Sequence, residues 1–145
     1  MTKDCLLPGS AKVECYLSLG TNLGDKEHNL NEAIRLIGER VGEVTKASSF
    51  IETEPWGFSS ENAFLNACIK VETMLTPREV LVATQEIERE LGRTRKSGGG
   101  IYHDRLIDID ILLYGEMNVD EPDLQIPHPL MNERDFVMIP LNEIR

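Results

Sequence analysis

Three features of this 145-residue chain predict an α+β domain with the element order β-α-β-β-α-β. Two segments repeat apolar residues at helical spacing behind good cap residues. Four others are β-branched or alternate apolar with polar. Short turn-forming stretches separate them, at a total length suited to one core. The order is that of the ferredoxin-like split βαβ arrangement, an antiparallel sheet with two helices on one face, here followed by a C-terminal extension. Residues 1–12 are expected to be a loosely held extension and residues 13–145 a single domain.

Glu14 to Leu19 reads as the first strand, and Gly20-Thr-Asn-Leu-Gly24 as a turn. Asp25 is placed to cap a helix whose buried stripe is Leu30, Ala33, Ile34, Ile37 and Val41, with Gly42 as its stop. Val44 to Thr53 is a second strand, residues 54–61 a loop with Pro55 and Gly57, and Ala63 to Thr73 a third strand. Thr76-Pro77-x-Glu79 opens the second helix as a capping box with Pro in the first turn. Val80, Thr84, Ile87 and Leu91 line its buried side, and Gly92 ends it. A basic, glycine-rich loop covers 93–105. The tail from Glu116 to Arg145 is turn-rich, contains Ile126-Pro-His-Pro129, and has room for a short closing helix.

The last strand carries the strongest functional signal. Ile107, Ile109, Ile111 and Leu113 alternate with Asp108 and Asp110. Side chains two apart on a strand share a face about 6.6 Å apart, so two carboxylates stand side by side on an apolar strand. Strand interiors are depleted in Asp, and adjacent anions repel. A divalent cation relieves that cost, and Mg²⁺ is typically held by one or two carboxylates plus waters and substrate phosphate oxygens. An edge strand with one solvated face is the plain alternative. Arg93, Arg95, Lys96 and Arg105 just upstream weigh against it, because they concentrate positive charge in a chain of net charge −10. Carboxylates for metal beside an Arg/Lys cluster are what phosphoryl transfer requires.

Other positions fit a small anionic or heterocyclic ligand. Ser97-Gly98-Gly99-Gly100, between Lys96 and Arg105, has the composition of a lid hinge. Aromatic residues make up only 6% of the chain, so Trp56, Phe58, Phe64 and Phe136 draw notice, as does Asn66 at a strand position that needs hydrogen-bond partners. His128 is held between two prolines, a setting for a turn or for an imidazole aimed at phosphate. His28 reads as solvent-facing. No P-loop or dinucleotide fingerprint is present, so Gly20 and Gly24 are read as turn glycines.

The acidic balance argues against nonspecific nucleic-acid or anionic-membrane binding. No apolar run approaches a membrane span, and the N-terminus lacks an apolar signal region. Cys5, Cys15 and Cys68 are odd in number and match no metal spacing. Cys15 and Cys68 read as small buried thiols, and a reducing cytoplasm is expected.

With Gly92-Arg-x-Arg-Lys96, Arg105-x-x-Asp-x-Asp110, Pro127-His128 and the Pro55-Trp-Gly and Phe-Leu-Asn66 segments in order from about Cys15 to the C-terminus, the chain resembles the 6-hydroxymethyl-7,8-dihydropterin pyrophosphokinases of folate biosynthesis. The resemblance implies diphosphate transfer from ATP to the pterin hydroxymethyl group, with AMP released. It implies that Asp108 and Asp110 hold two Mg²⁺ ions and that Arg93 and Arg105 are the catalytic arginines. It places Gln85, Glu88, Arg95, Lys96, Tyr102, Ile111, His128 and Arg134 on the ATP, and Thr53, Pro55, Trp56, Phe64, Asn66 and Phe136 around the pterin, with Phe64 and Phe136 on either side of the ring. Tyr102 stands where other members carry Trp, and Asp123 where some carry a basic residue. Small-molecule substrates and a monomer are expected, without nucleic acid or membrane. Two other classes compete: a two-metal nuclease or phosphatase, and a noncatalytic ferredoxin-like module that binds a regulatory ligand. The second leaves the Asp pair and the Arg cluster without a role.

Overall fold

The structure, a computed structural model, describes residues 12–53, 63–92 and 107–145. The elements are β1 (Val13–Thr21), α1 (Lys26–Arg40), β2 (Gly42–Ala47), β3 (Ile51–Thr53), β4 (Phe64–Thr73), α2 (Pro77–Gly92), β5 (Asp108–Tyr114), β6 (Val119–Glu121), β7 (Leu124–Ile126) and α3 (Asp135–Ile144), with a 3-10 turn at Met131–Glu133. The five-stranded sheet runs β2-β4-β1-β5, with β3 also on β4, and every pairing is antiparallel. Counting β2 and β3 as one strand gives the ferredoxin-like order.

The caps form as the sequence predicts. Asp25 Oδ1 accepts from the His28 amide at 3.1 Å. At the start of α2 the Glu79 amide donates to Thr76 Oγ1 at 3.2 Å, and the Thr76 amide to Glu79 Oε1 at 2.9 Å. These bonds satisfy helix donors that would otherwise lack partners. The apolar stripes of both helices cover one sheet face, where Leu30, Ala33, Ile37, Val80 and Ile87 pack with Leu17, Leu19, Ile69, Val71, Ile109 and Ile111. Cys15 lies in this core and Cys68 in a second one. Burial pushes both thiols up to about 12, so neither is a thiolate near neutrality.

Three departures from the sequence reading matter for the site. The strand expected over Val44–Thr53 is interrupted: Ser48 breaks it, its amide donating to Cys68 O and its hydroxyl accepting from the Cys68 amide, both at 2.9 Å. A side chain thus replaces a ladder partner, and the chain resumes as β3 on the same neighbour. In β5 the register against β1 slips between Tyr16 and Leu17, so Leu112 is an extra residue. That bulge ends the alternation and turns Leu113 to the face opposite Ile109 and Ile111. Finally, the tail holds a hairpin the sequence reading did not foresee, ahead of the short closing helix for which it left room. It forms the β6–β7 hairpin and then α3, whose Val137, Leu141 and Ile144 pack with Cys68 and Leu112 on the face away from α1 and α2. No described helix is long and apolar enough to cross a membrane.

Candidate active site

α3 covers only part of its face of the sheet. Beside it lies a cleft of about 690 Å³, floored by Ser18 and Gly20 of β1, Asn66 of β4 and Asp108 and Asp110 of β5. These residues alternate with the buried positions of the α1/α2 face, so the strand period of two that builds the core also points them into the cleft. Thr53 and Phe64 form one wall; Leu130, Glu133, Arg134, Asp135 and Phe136 form the other.

Asn66 is almost fully buried, and both of its donor directions are spent on β3. Nδ2 donates to Thr53 Oγ1 at 2.9 Å and reaches Ile51 O at 3.5 Å. Its amide oxygen is therefore the group left to accept from a ligand. A Cβ at position 20 would stand 3.0 Å from that oxygen, so glycine there keeps the amide in place. Phe64 and Phe136 both line the cleft, and the Arg134 guanidinium lies 5.6 Å from the Phe136 centroid, a cation–π contact.

Asp108 and Asp110 are half-buried on this face. Glu88 of α2 reaches the outer edge of β5, where its Oε2 accepts from the Ile109 amide at 2.7 Å. Burial, and then the negative charge of Asp108, a hydrogen bond shared with Asp108 and the charge of Asp110, together push the Glu88 carboxyl up to about 7 despite the bond from the Ile109 amide, which acts in the other direction. The corner is thus crowded with acid and favours a cation or a proton. Two carboxylates with hard oxygen donors fit Mg²⁺, whose remaining ligands are commonly water and phosphate. Among the described residues there is no group of three or more His, Cys, Asp or Glu placed to hold a metal by themselves, so ligand oxygens would have to complete the shell.

A second cleft, of about 270 Å³, opens on the outer side of β5 and shares Asp110 with the first. Leu81, Ile111, Asp123 and His128 line it. The His128 amide donates to Leu112 O at 3.0 Å, which fastens the chain after β7 to the sheet edge. Its Nδ1 accepts from the Leu130 amide at 3.2 Å, so the neutral ring carries its proton on Nε2 and presents a donor. Arg78 of α2 ties down the hairpin that walls this cleft, donating to Asp123 Oδ2 at 2.8 Å and to Glu121.

Of the residues singled out from the sequence, Thr53, Phe64, Asn66, Asp108, Asp110, Arg134 and Phe136 meet at the larger cleft, and Ile111 and His128 at the smaller. Arg134 stacks on the aromatic wall rather than lining the smaller cleft. Gln85 is exposed on α2, and the described linings of the two clefts do not include it. Pro55, Trp56, Arg93, Arg95, Lys96, Tyr102 and Arg105 lie outside the described residues, as does the proposed lid. Sequence reasoning missed Ser18, Gly20, Leu130, Glu133 and Asp135. Ser18 had a signal, a polar residue between Leu17 and Leu19 in a strand; Gly20, read as a turn glycine, continues β1 opposite Asn66 and Asp108, and the other three lie in a segment read as a tail.

A family model described as 7,8-dihydro-6-hydroxymethylpterin-pyrophosphokinase matches residues 16–145. A 2-amino-4-hydroxy-6-hydroxymethyldihydropteridine pyrophosphokinase from Porphyromonas gingivalis is 53% identical over 130 residues, 89% of this chain and 88% of the relative. The protein of the same description from Bacillus subtilis is 45% identical over 130 residues, 89% of this chain and 76% of the relative. In structure, the chain is similar to a Plasmodium falciparum HPPK-DHPS crystallised with pterin and p-hydroxybenzoate, with a TM-score of 0.71 over 96% of this chain and 16% identity. It spans 40% of that longer chain, and at that identity the likeness concerns the fold alone.

Proposed function

The chain belongs to the 7,8-dihydro-6-hydroxymethylpterin-pyrophosphokinase family, and from that premise we propose how its residues carry the reaction. The protein transfers pyrophosphate to 6-hydroxymethyl-7,8-dihydropterin in folate biosynthesis, with ATP as co-substrate.

The assignment of substrates to clefts rests on Asp110, which lines both. The pterin takes the larger cleft, its ring between Phe64 and Phe136 and its edge donors facing the Asn66 amide oxygen. The nucleotide takes the smaller one, along Ile111 and His128, and its phosphates meet the hydroxymethyl group where the clefts join. The hydroxymethyl oxygen attacks the β-phosphorus and loses its proton. The bond from that phosphorus to the α-side bridging oxygen breaks, and AMP leaves.

Asp108 and Asp110 would hold two Mg²⁺ ions, which supply charge neutralisation at the phosphate oxygens. His128 Nε2 donates to a phosphate oxygen. We assign Arg93 and Arg105 as the catalytic arginines, and Arg95, Lys96 and Tyr102 as further contacts to the nucleotide. Arg134, stacked on Phe136, stands at the junction of ring and phosphates. Positioning and charge stabilisation are sufficient means for such a transfer, so no dedicated base is assigned.

The test is AMP release from ATP and Mg²⁺ with and without 6-hydroxymethyl-7,8-dihydropterin. Release that requires the pterin is expected. Pterin-independent release of phosphate, or hydrolysis of general phosphoesters, would replace this reading with a phosphatase. In Arg93→Ala and Arg105→Ala, kcat should fall by roughly 10²-fold, the scale of a lost preorganised donor. A change confined to KM would make them binding groups only.

A further inference from the structure

We propose that Glu143, at the far end of α3 from the cleft, is a positioning residue that fixes the separation of the two walls of the pterin cleft by clamping Ser49. The inference rests on the assignment of the larger cleft to the pterin.

The two walls come from elements that are not neighbours in sequence. Thr53 is the last residue of β3, and Phe136 stands in the first turn of α3. From Ser49 to Thr53 the chain advances four residues, about 13 Å if extended. From Phe136 to Glu143 it advances seven, about 10.5 Å along a helix. Residues seven apart in a helix lie on nearly the same side, two turns from each other. One end of this pair of segments is therefore the cleft, with Thr53 and Phe136. The other end is closed, because Glu143 Oε1 accepts from both the amide and the hydroxyl of Ser49, each at 2.8 Å.

Cys68 Sγ of β4 also donates to Val137 O of α3 at 3.6 Å, a weak thiol bond near the cleft end, which leaves the charge-assisted Ser49–Glu143 pair the stronger directional tie between α3 and the segment that leads into β3. α3 is held to the sheet by Val137, Leu141 and Ile144 against Cys68 and Leu112. Apolar contact fixes the height of a helix over a sheet but constrains its slide and roll weakly, being nondirectional. Ser49 follows Ser48, whose bonds to Cys68 pin the strand break to β4, so the clamp seizes a point already fixed to the sheet. In α3, Pro140 has no N–H to give the Phe136 carbonyl four residues before it. The helix ladder is thus interrupted near the cleft, and the register of Phe136 depends more on where the helix is anchored. The two Ser49 bonds also hold the Glu143 carboxyl below its ordinary range, so it is ionised and charge-assisted under working conditions.

The experiment compares wild type, Glu143→Ala, Glu143→Gln and Ser49→Ala. Each is measured by KM for both substrates and kcat, and by titration of 6-hydroxymethyl-7,8-dihydropterin into protein saturated with a nonhydrolysable ATP analogue and Mg²⁺. In Glu143→Ala the pterin Kd and KM should rise roughly three- to fivefold, the scale of a lost charge-assisted hydrogen bond at an exposed site, with kcat and the ATP KM within about 1.5-fold. Glu143→Gln keeps an acceptor oxygen at the same reach and should restore pterin affinity to within about twofold of wild type. Ser49→Ala, which spares the amide half of the clamp and leaves α3 untouched, should show a smaller rise in the same direction. Three results would overturn the clamp: unchanged pterin affinity in Ser49→Ala and in folded Glu143→Ala, equal losses for both substrates, or a Gln variant no better than Ala. Wild-type protein that fails to bind or turn over the pterin would instead overturn the cleft assignment.

Discussion

On the sheet face beneath α1 and α2, residues 15, 17 and 19 of β1, 67, 69 and 71 of β4 and 109 and 111 of β5 are all apolar and buried. On the opposite face the intervening positions include Ser18, Asn66, Asp108 and Asp110, and α3 covers only the part where Cys68 and Leu112 meet it. The same strands, with the same period of two, thus supply a closed core on one side and an open polar floor on the other. One face holds the fold, and the other carries the proposed site. A polar group on the cleft face costs stability that the apolar face must supply.

That division is tested most severely at the aspartates. Asp108→Asn and Asp110→Asn should each lower turnover by roughly 10²-fold or more, while chemical denaturation of the metal-free protein shows equal or greater stability, because like-charge repulsion is relieved. Near-wild-type activity at low Mg²⁺ in either variant would remove the metal role. The mirror experiment is Leu17→Ala, one residue away from Ser18 and on the other face, fully buried. It should cost about 2–5 kcal/mol of unfolding free energy, with KM and kcat little changed at temperatures where the variant is folded. If Leu17→Ala instead altered kcat more than stability, the two faces would not be separable.

Asn66→Ala probes the border between the roles, since the amide joins β4 to β3 and lines the cleft proposed for the pterin. The loss of one acceptor to the pterin predicts a rise in pterin KM of roughly tenfold, with the ATP KM unchanged. Thr53→Val, which removes the nearer of the two β3 partners of the amide and leaves Ile51 O, should produce a smaller shift. Equal effects from the two would make Asn66 a strut and not a reader of the ring.

The apolar face was legible in advance because its cause is local. Spacing alone identified Leu30, Ala33, Ile37, Val80, Thr84 and Ile87, and the Thr76/Glu79 box identified the start of α2. The Asp pair was legible because it violates the strand pattern. What escaped is set by partners distant in sequence. Ser48 breaks its strand only because Cys68 is there to take its bonds. The Leu112 bulge depends on the register against β1. The short closing helix was expected in the tail but not its bounds, because α3 contains Pro140 and follows a proline-rich turn; packing of Val137, Leu141 and Ile144 supplies its stabilisation. The outer cleft wall escaped because Leu130 and Glu133, at the 3-10 turn, and Asp135, at the start of α3, reach the cleft only through the packing of that segment on the sheet.

The smallest effect belongs to Glu88, where an α2 residue from the core side reaches the chemical side. In the metal-free protein its carboxyl is raised from 4.5 to about 7, first by burial and then by Asp108 and Asp110. Between those two pH values the native state holds a proton that the unfolded chain has released. The contribution to stability is therefore complete below the ordinary value and is lost as pH rises through the native one. Glu88→Gln should abolish this loss: the neutral amide can still accept from the Ile109 amide through its oxygen and can donate to Asp108 through its nitrogen. The variant should match wild type in acid and become modestly the more stable of the two above neutrality, when both are unfolded in urea with a chelator present. The gain should be small, because solvent reaches part of the carboxyl and screens its neighbours. A stability difference independent of pH would mean that Glu88 acts through its hydrogen bond to β5 alone, and that the acidic corner places no strain on the fold before a cation arrives.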